Sequence, residues 1–158
     1  MHREMRKQKR QLSEKESIEI IETGEYGVLA TTDPDNQPYA VPLNYVYHNG
    51  KIYFHCAKTG HKTDNIRHNP NVSFCIVGKN EIISKKFTTG FESVVLFGKA
   101  REAGDSEKED GLVALVKRFS GNHMSAGKEE IKKAWNATTV IVIDIEHMTG
   151  KASRKNTK

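Results

Sequence analysis

Short runs of apolar and β-branched residues dominate the chain, and turn-forming segments separate them. Such runs predict strands at 26–32, 39–47, 51–56, 72–77, 91–100 and 138–145. The segment 81–86 is ambiguous between a further strand and a loop. Asn49-Gly50 lies between the second and third runs and predicts a tight hairpin, because both residues tolerate a positive φ.

Helical signals occur in fewer places than strand signals. Ser13 and Glu16 form a capping-box pattern before an apolar helical stretch, which Thr23-Gly24 ends. Asn69-Pro70 ends a second short helix, because the residue before a proline avoids the helical region. The remaining predictions are a helix at 62–68, a helix from Ser106 with one apolar face, a loop at 121–127 and a short helix at 129–135.

The order of these elements favours a mainly β (α+β) fold. Strands and helices do not alternate regularly, so a doubly wound parallel sheet is disfavoured. Short turns between most strands instead predict an antiparallel barrel of six to seven strands with peripheral helices. A length of 158 residues predicts one domain, residues 1–158, with a single core.

Positive charge is concentrated at the two ends. The chain carries a net charge of +5, yet residues 1–11 and 151–158 are strongly basic and the remainder is mildly acidic. We interpret the ends as a solvated arm and a solvated tail, with contact to a polyanion as the alternative. Because a folded basic face is not indicated, nucleic-acid binding is a weaker hypothesis.

Compartment signals point to the cytoplasm. No apolar run approaches the roughly 20 residues that a membrane helix requires. The basic start lacks the apolar segment of a secretory signal. Cys56 and Cys75 fall within predicted strands and do not suggest a disulfide framework, so we expect a reducing environment.

Pro42 interrupts an otherwise regular strand pattern. A proline cannot donate to a strand ladder and therefore indicates an edge or a bulge. If this strand pairs on one side only, the backbone groups of Val41, Leu43 and Asn44 could bind the polar edge of a planar heterocycle. The alternative is an edge proline that only prevents aggregation.

The loop 57–62 combines a glycine with basic residues at the start of a helix. Gly60 permits a sharp turn, and Lys62 lies where the first helical amides lack partners. This arrangement suits a phosphate group, and the alternative is an ordinary solvated loop between a strand and a helix. His55 and Cys56 precede the loop and face opposite sides of their strand. The histidines and cysteines show no metal-ligand spacing, so no metal site is predicted.

Taken together, these motifs resemble the pyridoxamine 5′-phosphate oxidase-like flavin-binding split barrels, in particular their nitroimidazole-resistance branch. The resemblance runs from residue 5 to residue 151. It rests on the order and spacing of motifs at 27–32, 38–45, 52–57, 60–62, 69–70, 92–95 and 97–98.

The resemblance implies a split barrel and a homodimer with FMN bound between the subunits. It also implies cofactor-binding residues in three groups. These are Val41, Pro42, Leu43, Asn44 and Tyr45 along the isoalloxazine, His55, Cys56, Ala57, His61 and Lys62 on the ribityl phosphate side, and Glu92, Ser93 and Val94 from the partner subunit.

The arginine-rich substrate and phosphate motifs of true pyridoxamine phosphate oxidases are not found in the sequence, so that activity is not expected. We instead expect an FMN-dependent oxidoreductase of small electron-poor compounds such as nitroaromatics, with His55 as the candidate catalytic residue. The alternative is a non-catalytic flavin- or haem-binding protein. An absorption spectrum distinguishes a flavin from a haem.

Overall fold

A computed structural model describes residues 2–154 of the chain. Within this part, seven strands and four α-helices alternate in an irregular order. The strands are β1 (Tyr26–Thr32), β2 (Pro38–Asn44), β3 (Val46–His48), β4 (Lys51–Ala57), β5 (Asn71–Ile83), β6 (Thr88–Glu102) and β7 (Thr138–Ser153). The helices are α1 (Glu14–Thr23), α2 (His61–His68), α3 (Asp105–Ser120) and α4 (Met124–Ala134). None of the helices in residues 2–154 combines the length and apolar character that a membrane span requires.

All seven strands belong to one antiparallel sheet that curls into a half-barrel. Their spatial order is β2-β1-β5-β6-β7-β4-β3, so β2 and β3 are the two edge strands. These edge strands follow one another in sequence, with only Tyr45 between them. The predicted mainly β fold, with antiparallel strands and peripheral helices, is confirmed.

Two local signals fold as predicted. Asn49 and Gly50 have φ angles of 51° and 73° and connect β3 to β4 in a tight hairpin. At the start of α1, the Glu16 amide donates to Ser13 Oγ over 3.2 Å and the Ser13 amide donates to Glu16 Oε2 over 2.9 Å. The capping box is therefore complete, because each residue satisfies a backbone donor of the other.

The concave face of the sheet holds the main core. Side chains from all the long strands meet there, and α1 closes the core with Ile20 and Ile21. The fully buried members include Leu29, Ile52, Phe54, Phe74, Ile76, Val94, Leu96, Ile141 and Ile143. Burial of this apolar surface is the main source of stability for the half-barrel.

The convex face is covered over one half only. There, α3 packs Leu112 and Leu115 against Tyr53, Val140 and Val142, which form a second buried cluster. This covered half comprises the convex side of β3, β4 and the first part of β7. The helices therefore shield one end of the sheet from solvent.

The other half of the convex face, on β1, β2, β5 and β6, is less buried: its side chains are half-buried or exposed, and the His2 ring stacks on Phe97. Residues directly opposite one another in adjacent strands share a face, and one such row runs through Pro42, Val28, Cys75 and Val95. The neighbouring Val77 and Phe97 are 53% and 38% exposed. We call this surface, made of Val28, Pro42, Cys75, Val77, Val95 and Phe97, the bare face.

Three local expectations differ from the structure. The predicted strand 39–47 divides at Tyr45, because the Tyr45 hydroxyl turns inward and donates to the Ile21 carbonyl over 2.6 Å. The ambiguous segment 81–86 continues β5 to Ile83 before a 3₁₀ turn. The predicted loop at 121–127 is wrong from Met124 onward, where α4 begins.

The chain ends also contact the sheet. β7 extends to Ser153, which places the first three residues of the predicted tail in the sheet opposite β6. Gln11 of the N-terminal arm forms a bridge with Lys151, and the His2 ring stacks on His147 with centroids 4.7 Å apart. Residue 1 and residues 155–158 of the predicted arm and tail lie outside the described residues.

Candidate functional site

The edge strand β2 forms one side of the candidate site. It pairs only with β1 among the described residues, and Pro42 lies opposite Val28. The prediction that Pro42 lies on an edge is therefore confirmed. Val41 and Leu43 point inward and pack against the main core, whereas Pro42 and Asn44 are exposed. The outer side of β2 consequently presents a row of backbone polar groups toward solvent.

The loop before α2 has the backbone geometry expected of an anion site. Gly60 is the N-cap residue with φ 153° and ψ 165°, a conformation open almost only to glycine. No side chain of residues 2–154 caps the helix, and the Thr63 hydroxyl donates to the Gly60 carbonyl over 2.7 Å. The helix begins at His61, one residue before the predicted start, and its first amides point outward without intrahelical acceptors.

Two residues of α2 fix it in place. Asn65 Nδ2 donates to Thr31 Oγ1 over 2.9 Å, and both residues are buried. On the exposed side, Arg67 binds Glu102 at 2.6 Å and donates to the Lys58 carbonyl at 3.0 Å. A buried hydrogen bond without alternative partners is costly to break, so the loop is held against β1 and β6.

The start of α2 lies beside the start of β2. The ring centroids of Tyr39 and His61 are 4.0 Å apart. Lys62 is half-buried, while His61 and Ala57 are exposed. The β2 edge therefore begins next to the open amides of α2.

The other end of β2 borders a groove of about 870 Å³ under α3 and α4. Asn44 and His55 lie in this groove together with apolar residues from both helices. The apolar wall consists of Leu112, Leu115, Val116, Phe119, Ala126, Ile131 and Ala134. Asn44 Nδ2 is fixed by donation to the Glu25 carbonyl over 2.7 Å. The size and largely apolar lining are typical of a site for a small organic molecule.

His55 and Cys56 occupy opposite sides of β4, as predicted. His55 is exposed and lines the groove, whereas Cys56 packs against the main core. Burial raises the pKa of the Cys56 thiol, and the nearby Lys62 charge opposes this shift only in part. Because the thiolate is the reactive form of cysteine, Cys56 is suited to packing rather than to nucleophilic chemistry.

The implied partner-subunit residues lie far from this site within one chain. Phe54 of β4 lies opposite Ile141 of β7, which lies opposite Glu102 of β6. Val94 is eight residues from Glu102 along β6, a distance of about 25 Å in a strand. Glu92 binds Arg154 over 3.3 Å, and Ser93 is half-buried beside the bare face.

Two of the implied residues have buried side chains. Tyr45 is 1% exposed and its hydroxyl is bonded to Ile21, while Val94 is 0% exposed between β5 and β7. Their structural role is therefore packing beneath the surfaces that their neighbours form.

No cluster of three or more histidine, cysteine or acidic side chains in residues 2–154 is arranged to hold a metal ion.

Sequence reasoning missed the residues that assemble the site. Tyr39, Thr31 and the groove wall from α4 were not singled out, because each acts through a contact between distant segments. Phe119 was a sequence signal for the groove, because it is a large apolar residue at the end of the apolar face of α3. Its side chain is 41% exposed and lines the groove.

A model of the family described as pyridoxamine 5′-phosphate oxidase matches residues 13–152. The chain belongs to this family. The match covers the whole sheet except the last residue of β7, and thus includes both ends of the candidate site. A search of curated proteins finds none that matches the sequence.

Solved structures with the same fold come from several bacteria. A Bacteroides thetaiotaomicron protein, provisionally assigned as a 5-nitroimidazole antibiotic resistance protein, is 21% identical, with a TM-score of 0.73 over 90% of this chain and 86% of that one. An FAD-binding protein from Mesorhizobium loti is 25% identical, with a TM-score of 0.62 over 91% and 97%. An FAD- and haem-binding protein from Mycobacterium smegmatis is 18% identical, with a TM-score of 0.78 over 91% and 73%.

Proposed function

We propose that this protein is an FMN-binding oxidoreductase that acts as a homodimer on small electron-poor compounds, nitroaromatics among them. The observation that carries the proposal is the continuity of the candidate site. A free strand edge connects the uncapped start of α2 at one end with an apolar groove at the other. A long, flat molecule with a phosphate at one end matches these three surfaces in their spatial order.

The start of α2 would hold the phosphate. The open amides after Gly60 and the positive end of the helix dipole favour an anion there. Lys62 adds a formal charge, and His61 is placed by its contact with Tyr39. Since Gly60 has no side chain, the phosphate could approach the backbone closely.

The edge of β2 would hold the heterocycle. Its outward backbone groups can donate to and accept from the polar rim of an isoalloxazine, as a neighbouring strand would. Pro42 removes one donor from this row, which leaves the row unsuited to continuous strand pairing. The same residue therefore blocks aggregation and keeps the edge open for a ligand.

FMN would supply the reversible uptake and release of electrons when bound. The protein's own residues would orient the substrate and exclude water. The groove wall from α3 and α4 offers apolar contact for an aromatic acceptor. His55 and Asn44 lie on the strand side of that groove and could donate hydrogen bonds to polar substituents such as a nitro group.

The bare face supports the proposed homodimer. Contiguous exposed apolar surface on a small protein commonly marks an interaction site. Ser93 lies beside this face, opposite Val77, and Glu92 is the residue before it. A second copy packed there would bring Glu92 and Ser93 toward the flavin of its partner, as the family resemblance implies.

The first test is the absorption spectrum of the purified protein. A flavin gives a band near roughly 450 nm, whereas a haem gives a Soret band. A colourless protein that takes up no FMN in a fluorescence titration would overturn the proposal. Reduction of bound flavin by NADH or NADPH, followed by turnover of a nitroaromatic, then tests catalysis.

The second test is Lys62→Ala, with Lys58→Ala as a matched control in the same loop. We expect Lys62→Ala to weaken FMN binding by about 1–3 kcal/mol, because it removes a charged phosphate partner. Lys58 is exposed and contributes its carbonyl to Arg67, so its side-chain truncation should leave the affinity unchanged. Equal affinities in all three proteins would contradict the placement of the phosphate.

A haem-binding function is the second candidate, and the FAD- and haem-binding neighbour gives it a structural precedent. His55 is exposed in the groove and could serve as an axial ligand. A Soret band that His55→Ala abolishes would favour this alternative over a flavin oxidoreductase.

A further inference from the structure

A second cavity, of about 720 Å³, lies at the opposite end of β7 from the α2 loop. It is formed where the N-terminal arm, the β5–β6 turn and the end of β7 meet. Four cationic side chains line it: Lys9, Arg10, Lys86 and Arg154. Ala57, at the α2 end, pairs with Thr138, so nearly the full length of β7 separates the two regions.

The cations in this cavity are not equivalent. Arg154 is already neutralised, because it binds Glu16 at 3.0 Å and Glu92 at 3.3 Å. Among the described residues, no carboxylate forms an ion pair with Lys9, Arg10 or Lys86. Three unpaired positive charges from two separate chain segments therefore surround one cavity and focus a positive potential in it.

The rest of the lining fits a phosphate group with an organic part attached. Thr88, Thr89 and Ser153 provide hydroxyl donors beside the cations. Ile83 and Leu12 provide apolar surface for a flat base. The cavity volume is far larger than one phosphate needs and lies in the range of roughly 300–1,000 Å³ typical of sites for small organic ligands.

We propose that this cavity binds a nucleoside diphosphate group, such as the ADP portion of a dinucleotide. Lys86 contacts it from the β5–β6 turn, and Lys9 and Arg10 contact it from the N-terminal arm. The shared chemistry is found in the dinucleotide form of a flavin and in a nicotinamide dinucleotide reductant. ADP binding itself does not depend on FMN binding at α2, because the two regions are separate within the chain. Its assignment to a flavin or a reductant rests on the proposed homodimer, which alone could bring the α2 site of one subunit near this cavity of the other.

The test is a calorimetric titration of the full chain with ADP, adenosine and pyrophosphate. We expect saturable ADP binding that weakens as salt is added, and no binding of adenosine alone. Lys86→Glu should weaken ADP binding at least tenfold. The matched control is Lys85→Glu, which makes the same charge change at the neighbouring residue outside the cavity lining and should change the affinity less than twofold.

Several results would overturn the proposal. These are no saturable ADP binding, equal binding of adenosine and ADP, or equal losses in the two lysine variants. Circular dichroism confirms the fold of each variant. If Lys86→Glu does not fold, the same titration is made with Arg10→Glu, which should weaken ADP binding from the N-terminal arm. Lys7→Glu is its control, because Arg10 lines the cavity and Lys7 does not.

Competition experiments distinguish the two sources of the ADP group. If it belongs to the flavin, FAD displaces ADP and binds more tightly than FMN, and Lys86→Glu removes this difference. If it belongs to the reductant, NADPH or NADH displaces ADP and FAD does not. Failure of every dinucleotide to displace ADP would overturn the assignment to a dinucleotide.

Discussion

The two halves of the convex face of the sheet differ in burial. Over β4 and β7, α3 buries Tyr53, Val140 and Val142. Over β1, β5 and β6, Val77 and Phe97 remain exposed. The difference arises because α3 and α4, which lie between β6 and β7 in sequence, pack over β3, β4 and β7. Helices of the same chain therefore bury the covered half, whereas the bare face keeps exposed apolar side chains among residues 2–154.

The largest expected effect is on the covered half. Leu112→Ala removes a buried side chain from the cluster between α3 and the sheet. We expect a loss of about 2–5 kcal/mol in the free energy of unfolding, because the cavity left behind cannot close completely. Urea denaturation followed by circular dichroism measures it.

Val77→Ala provides the contrasting measurement on the bare half. Its side chain is 53% exposed, so truncation in a monomer should cost less than about 0.5 kcal/mol. Similar losses in the two variants, measured at protein concentrations low enough to keep the chain monomeric, would mean that the two halves do not differ in the way described.

A second prediction concerns association through the bare face. Val77→Asp places a charge within the proposed dimer interface without disturbing the concave core. We expect the dimer dissociation constant to rise at least tenfold, since an unpaired buried charge costs about 1.4 kcal/mol or more. Analytical ultracentrifugation measures it, and bound flavin should decrease in parallel if the partner contributes to the site.

Ser125→Asp is the matched control for this prediction. It introduces the same charge at an exposed position of α4, on the covered half. A wild-type protein that sediments as a monomer, or a Val77→Asp protein that dimerises as tightly as Ser125→Asp, would remove the support that the bare face gives to the dimer.

Much of the fold could be predicted because its signals are local. The Asn49-Gly50 hairpin, the Ser13–Glu16 capping box and the edge position of Pro42 each depend on backbone preferences within a few residues. The position of the loop 57–62 before α2 was likewise predicted from Gly60 and its basic neighbours Lys58, His61 and Lys62. These interactions do not require knowledge of which distant segments meet.

The remaining features depend on long-range packing. Gly127 favours a loop by propensity, yet it lies within α4. Glycine allows α4 to pack closely on α3 there, because a Cβ atom at this position would lie 2.4 Å from Val116. The contact between Tyr39 and His61 and the bond between Asn65 and Thr31 likewise join segments that no sequence motif connects. The groove could not be predicted for the same reason.

A third prediction, with a smaller expected effect, concerns the ion pairs that connect α3 to the covered half of the sheet. Arg101 on β6 binds Glu107 of α3 at 2.6 Å and Asp144 of β7 at 2.7 Å, and Lys51 of β4 binds Asp144 at 2.9 Å. Hydrogen bonds from Arg101 lower the pKa of both carboxyl groups, although partial burial opposes the shift. Arg101→Met should cost about 1 kcal/mol at pH 7, because these groups are partly exposed to solvent.

The pH dependence separates charge from packing in this prediction. A carboxyl whose pKa is lower in the folded state stabilises the protein above its unfolded pKa, and the contribution is lost as the pH falls through the folded value. The difference between wild type and Arg101→Met should therefore be constant from pH 6 to 8 and shrink below about pH 4. Lys132→Met breaks the exposed pair with Glu129 on α4, and its free energy of unfolding should equal that of the wild type both at pH 6–8 and below pH 4. A penalty for Arg101→Met that persists at pH 3 would mean that its side chain fastens α3 by packing and not by charge.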